Sequence, residues 1–219
     1  ANGKVQTTAS GNAVRRTTAE QAPGAGVKAV PGYCRLEMDD RPPEAIVVKV
    51  EPTPEQKTQM QDLERDLMTW VLGWDGEETP LVVDLPMTLR MRLRQVAIAA
   101  LSVTVDPETG DEKVYFADDA ASAKLTALRG IVDYWGDQPV GILTDSKIGA
   151  DLTVRRMTAA GYSARAWTGD LSRPEREKLK QAFMAGEFQY LVGTIQSMGT
   201  GIDGLQKVCS KVIWLSEAD

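Results

Sequence analysis

Histidine is absent from all 219 residues. That single gap removes Ser-His-Asp and Cys-His catalysis, His-ligated zinc and imidazole-based proton transfer. Cysteine is nearly as scarce: Cys34 and Cys209 lie too far apart in sequence to suggest a metal-binding knuckle, and a reduced compartment is the simpler setting. The longest apolar run, around Val96 to Val103, falls far short of the ~20 residues that span a bilayer. The N-terminal ANGKVQTTASGN lacks the apolar core of a signal peptide, which points to a soluble intracellular chain. A G-x-x-x-x-G-K-[ST] phosphate loop is also missing, since Gly3 and Lys4 adjoin without the preceding frame. So is the acidic strand end that holds magnesium in phosphoryl transfer. No catalytic residue and no metal ligand are therefore expected.

What remains is ordinary globular material. Hydrophobic residues make up 42% and charged residues 26%, close to the average for folded domains. A chain of this length buries about 70% of its unfolded surface, enough to need no staple. The net charge of −6 argues against a protein that coats nucleic acid. It leaves room for local phosphate contacts made by backbone N–H groups and hydroxyls.

Residues 1–30 are rich in Gly, Ala, Thr and Gln without apolar periodicity and read as a flexible segment. Ile46 to Val50 is a β-branched run bounded by prolines, which predicts a strand. Thr53, Pro54 and Gln56 form a helix start with a capping box, and Met60, Leu63, Leu67 and Val71 supply its apolar face. A second helix follows Pro86, with Leu89, Leu93, Val96, Ala97 and Ala100 as its buried stripe. Its Arg90, Arg92 and Arg94 read as a solvated face, as do Arg155 and Arg156 further on. SVTV and KVYF flank DPETGDE, the pattern of a β-hairpin.

From Ser122 the rhythm becomes regular. Helices over 122–135, from Ser146 to Gly161 and from Ser172 to Gly186 alternate with strands at 140–144, 162–167, 190–192 and 211–215. Strands alternating with helices predict a parallel sheet with helices on its faces. Functional loops then belong beyond the carboxyl ends of the strands.

The densest motif is LVGTIQSMGTGIDGLQ, residues 191–206. Alone, Gly199, Gly201 and Gly204 satisfy the G-x-G-x-x-G fingerprint of a dinucleotide enzyme. That fingerprint opens the first βα turn of a domain, whereas here it sits near the C-terminus. Joined to its surroundings, the loop belongs to a longer series. VRRT (14–17), RPPEAIVVKVEPTPEQ (41–56), SAKL (122–125), PVGILTDS (139–146) and TGDLSRPEREKLKQAF (168–183) precede it, and KVIWLSEAD (211–219) comes after it. In order and spacing this series resembles the C-terminal half of the Swi/Snf-type DNA translocases, within the superfamily-two helicases.

The resemblance implies a RecA-like helicase lobe two, with an N-terminal helical protrusion and a hairpin. It implies a division into 1–30 leaving lobe one, 31–118 with connecting strand, protrusion and hairpin, and 119–219 as the lobe, cut before the arginine motif. Ser146 and Lys147, Thr168 and Gly169, and Thr194 or Gln196 would face the DNA backbone, with duplex as the expected form. The loop is one residue longer than the family's commonest form, which leaves open which of Thr194 and Gln196 makes the contact. Gly201 and Asp203 would face the ATP ribose in a cleft shared with a missing first lobe, with ATP and magnesium bound only in the intact two-lobe protein. The plainer readings are that Asp203 caps its turn and that Phe183, in the Thr168–Phe183 piece, packs. The setting implied is cytoplasmic, in a bacterial or phage-infected cell, and nucleic-acid associated, with no membrane. A non-catalytic DNA- or protein-binding module on the same fold is the alternative, ahead of the dinucleotide enzyme.

Overall fold

The computed structural model describes residues 5–7, 13–17, 35–37, 46–73, 75–106, 108–198, 202 and 204–216. Contacts divide the chain into two units, Ala1–Val48 and Lys49–Asp219. In the first, β1 (Val5–Thr7), β2 (Ala13–Thr17) and β3 (Arg35–Glu37) form an antiparallel sheet in that order. Most of the segment expected to be flexible lies outside the described residues; β1 and β2 fall within it.

The strand expected at Ile46–Val50 does not form. The stretch is irregular, and Ile46, Val47 and Val48 are 86%, 79% and 53% exposed. β-branched residues favour extended backbone, but a strand also needs a partner ladder, and none is present among the described residues. The capping box next along the chain is in place. Thr53 Oγ1 accepts from Gln56 N at 3.3 Å and Gln56 Oε1 accepts from Thr53 N at 3.2 Å, opening α1 (Pro54–Asp66).

The apolar face read into this helix runs too far. Leu67 caps α1 in the left-handed region (φ 53°), and Val71 belongs instead to β4 (Met68–Gly73). The sequence MTWVLG explains the change: burial alternates along it with period two, Trp70 and Leu72 facing out and Val71 facing in. β4 pairs antiparallel with β5 (Glu78–Val82), Trp70 opposite Pro80. Next comes α2 (Pro86–Ile98), with Val96 and Ile98 buried. Its Arg92 departs from the solvated face: the guanidinium is half-buried, burial lowers its pKa, and Nη1 donates to Gln95 Oε1 at 2.8 Å. The hairpin around DPETGDE forms as expected from β6 (Ser102–Val105) and β7 (Glu112–Tyr115). β6 also pairs parallel with β4, giving one sheet in the order β5-β4-β6-β7.

The regular half matches its sequence pattern closely. In order come α3 (Ala123–Trp135), β8 (Val140–Thr144), α4 (Lys147–Ala159), β9 (Ala164–Trp167), α5 (Arg173–Met184), β10 (Tyr190–Thr194), a single turn α6 (Ile195–Met198) and β11 (Lys211–Trp214). The sheet is wholly parallel, ordered β11-β8-β10-β9. Its central strands are buried on both faces, as a parallel sheet between helices requires. Along β10, Tyr190 and Val192 join the larger core with α4, while Leu191 joins Trp167, Phe183 and Phe188 on the other side. Phe183 therefore packs, its ring centroid 5.2 Å from that of Phe188.

Arg156 also departs from the solvated reading, while Arg155 stays exposed as expected but is engaged. Arg155 Nη2 donates to Phe116 O at 2.9 Å and its Nε to Asp118 Oδ1 at 2.6 Å, while Arg156 donates to the carbonyls of Asp118 and Ala120. These bonds fasten α4 to the chain leaving the β6–β7 hairpin.

Two buried glutamines tie α1 to α2, to the start of α3 and to the residue before β6. Gln56 Nε2 donates to Val96 O at 2.6 Å, and its Oε1 accepts from Ala123 N at 3.1 Å, at the start of α3. Gln59 exchanges two bonds with the backbone of Leu101, at 3.1 and 2.8 Å. A buried backbone group that loses its partner costs about 1–3 kcal/mol. Gln56→Ala is therefore expected to lower the unfolding free energy by roughly 2–4 kcal/mol, measured by chemical denaturation. Exposed Thr58→Ala, two residues along the same helix, is expected to change it by less than about 0.5 kcal/mol.

Candidate functional site

The parallel register brings the carboxyl ends of the four strands to one edge: Thr194 pairs with Thr144, Gly193 with Trp167, and Trp214 with Leu143. Six of the sequence-derived candidates therefore sit along that edge, five just past β8, β9 or β10 and Thr194 closing β10 itself.

At the end of β8, Ser146 is extended (φ −127°, ψ 146°) and its Oγ accepts from Gly149 N at 3.2 Å, capping α4. Ser146 N donates to Thr144 Oγ1 at 3.2 Å. Gly149 must be small here, because a Cβ would lie 2.7 Å from Thr144 Oγ1. Lys147 is exposed and forms an ion pair with Asp170, which comes just after β9; that bond raises the lysine's pKa. The pair links the β8 and β9 ends.

Beyond β9, Thr168 is buried and Gly169 exposed. Arg176, on α5, holds this loop from behind: Nη2 donates to Gly169 O at 3.0 Å and to Thr168 O at 3.4 Å. A buried threonine offers its hydroxyl poorly to an outside ligand, whereas the exposed glycine leaves its backbone approachable.

Thr194 closes β10 with its hydroxyl already engaged. Oγ1 donates to Ser197 Oγ at 2.8 Å and accepts from Ser197 N at 3.3 Å. Ser197 Oγ in turn donates to Trp167 O at 2.9 Å, and Trp167 Nε1 donates to Ser197 O at 3.1 Å. A Cβ at Gly193 would run into Met198 Sδ and lie 2.7 Å from Trp167 O, so the turn closes only over glycine. Gln196, by contrast, is exposed. Of the two residues left open by the sequence, Gln196 has the freer side chain.

The β11 end adds residues that the sequence did not single out. Ser216 Oγ accepts from Asp145 N at 2.7 Å, and Lys124 Nζ donates to Leu215 O at 2.6 Å. Burial lowers the Lys124 pKa, and the charge of Asp145 partly restores it. Lys124 lies within SAKL, but nothing in that tetrapeptide distinguishes an inward-turned lysine from a solvated one. Asp170 and Ser197 were missed for a similar reason: their partners are distant in sequence or lie across a turn.

Gly201 and Asp203 lie outside the described residues. Of their neighbours, Gly204 is left-handed (φ 96°) and its N donates to Gln206 Oε1 at 2.9 Å. The chain then makes a three-residue 3-10 turn, Leu205–Lys207. A dinucleotide fingerprint opens a full helix whose N-terminus meets the pyrophosphate, and the glycine loop leads into no such helix. Among the described residues no group of acidic, cysteine or histidine side chains is arranged to hold a metal, and no helix is long and apolar enough to cross a membrane.

No family model and no curated protein matches the chain. Solved structures do. The C-terminal part of the Fun30 ATPase domain matches with a TM-score of 0.53 at 13% identity, over 78% of this chain and 74% of that one. The Sulfolobus solfataricus SWI2/SNF2 ATPase C-terminal domain matches at 0.50 and 16% identity, over 75% and 68%. The Sulfolobus solfataricus ATPase core in complex with dsDNA matches at 0.51 and 17%, over 77% of this chain but 34% of that one. The chain spans only 20% of the Pyrococcus furiosus Hef helicase domain, a looser match at 0.39. The fold is similar to that of these ATPase C-terminal domains, a parallel sheet flanked by helices.

Arg176→Ala removes the bonds that hold the Thr168–Gly169 carbonyls. Faster hydrogen exchange is expected at the amides of residues 168–171, with the amides of β8 and β10 unchanged, read by mass spectrometry.

Proposed function

We propose that the chain is the second lobe of an ATP-driven DNA translocase, and that the carboxyl edge of its parallel sheet grips a duplex backbone. The observation that carries this reading is the convergence of Ser146, Lys147, Gly169 and Gln196 on one edge of the sheet. Similarity of fold to the C-terminal domain of a SWI2/SNF2 ATPase supports it.

The chemistry suits phosphate. The first turn of α4 offers backbone N–H groups and the positive end of its dipole, beside the Lys147 ammonium. Lys147 is already paired with Asp170, so a phosphate oxygen replaces a carboxylate rather than water, and the displaced Asp170 is repelled. Gly169 contributes backbone and Gln196 an amide. Thr168 and Thr194 then support the loops from within rather than reach the ligand.

ATP and magnesium enter the reading as ligands shared with a first lobe. Gly201 and Asp203 are proposed to meet the ribose, the aspartate accepting from a hydroxyl. The phosphate loop and the magnesium-binding carboxylate come from the other lobe, where phosphoryl transfer is carried out.

Lys147→Ala is expected to reduce the slope of log affinity against log salt by about 0.9, one phosphate contact, equally for duplexes of different sequence. Fluorescence anisotropy across a salt series measures it, and a slope that does not move sinks the grip assigned to this edge. By itself the chain is expected to release no phosphate from ATP, whereas supplying a matching first lobe is expected to permit DNA-stimulated release.

A further inference from the structure

A cleft of about 480 Å³ opens beside the first turns of α4, lined chiefly by Tyr115, Phe116, Asp118, Ile148, Asp151 and Arg155. That volume falls within the roughly 300–1,000 Å³ of small-ligand sites. Ile148, Asp151 and Arg155 are three and four residues apart and share one face of the helix. Ile148 directly follows Lys147, so the cleft begins one residue from the proposed phosphate grip.

Its charges are unequally satisfied. Arg155 is held by Asp118 and by Phe116 O, and Lys147 by Asp170. The Asp151 carboxylate has no hydrogen bond among the described residues; burial pushes its pKa up, while Lys147 and Arg155 pull it back. A carboxylate partly withdrawn from water gains most from an incoming N–H donor. Two carboxylates, Asp118 and Asp151, against one cation, Arg155, leave the lining of the cleft unfavourable to phosphate itself. A flat, neutral ring carrying N–H donors is free of that repulsion, and the half-buried Tyr115 ring gives it a surface to stack on.

We propose that this cleft is a nucleobase site, in which a base turned out of the strand held at Ser146 and Lys147 stacks on Tyr115 and presents its N–H edge to Asp151. This rests on the nucleic-acid reading of the adjoining edge. Guanine fits best, because its N1–H and exocyclic amine meet both carboxylate oxygens. Cytosine and adenine offer one amine each. Thymine offers one N–H flanked by two carbonyls that face the carboxylate unfavourably.

The test is fluorescence anisotropy of the intact chain with labelled thymine strands carrying a single guanine, a thymine or an abasic residue at the centre. The guanine strand is expected to bind wild type about tenfold tighter than the thymine strand. Asp151→Asn, close in shape, is expected to reduce that preference to about twofold or less. Tyr115→Leu is expected to bring the guanine strand down to the abasic level, with duplex affinity and melting temperature unchanged in both variants. Equal binding of guanine and thymine strands by wild type, or a preference that survives Asp151→Asn, overturns the proposal. So does competition by argininamide without any base preference, which assigns the cleft to a basic side chain. Duplex binding that persists without base preference sinks only the cleft, whereas failure to bind either duplex or single strand sinks the underlying reading as well.

Discussion

The fold depends on one side-chain amide. Gln56 caps its own helix through Thr53, bonds the end of α2 through Val96, and accepts from the first residue of α3. Three elements from separate stretches of chain thus meet at a group fully withdrawn from water. In that setting a satisfied amide is specific and an unsatisfied one is costly. Gln59 repeats the device one turn later against Leu101. Together they fasten α1 to α2, to the start of α3 and to the residue before β6, beside one continuous core that runs from Leu63 to Leu215.

The carboxyl edge of the parallel sheet is organised by the same economy of internal partners. Ser146 caps a helix, Thr194 is bound to Ser197, Lys147 is paired with Asp170, and Arg176 grips the backbone of the neighbouring loop. These groups already have definite positions before any ligand arrives, which lowers the ordering cost of binding. The same commitments narrow which groups are left to act outward without first giving up a partner: the backbone at Gly169 and the amide of Gln196.

The parallel half was legible because its signals agree with one another. Ser122, Ser146 and the Ser172/Glu175 box each cap the helix expected of them, and the strands VGILT and YLV are short apolar runs between breakers. The other half misled where one signal outweighed another. Leu67 and Val71 fit a helical spacing, yet the β-branched and aromatic MTWVLG behaves as a strand once Leu67 turns left-handed. Ile46–Val50 has strand composition without a partner among the described residues. The candidate site was legible as positions on loops. The bonds that bring those loops together, such as Lys147 with Asp170 or Ser197 with Trp167, join residues whose proximity only the sheet creates.

Several of the chain's cations point inward, where Lys124, Arg156 and Arg176 bond backbone carbonyls, while the molecule as a whole carries a net charge of −6. A polyanion approaching from a distance therefore meets a repulsive field and feels attraction only on close approach. On the proposed reading such a lobe is a poor searcher and a serviceable clamp: it captures slowly from bulk solution. Its occupancy is then governed by the local concentration that a tethered neighbour creates, more than by its own encounter rate.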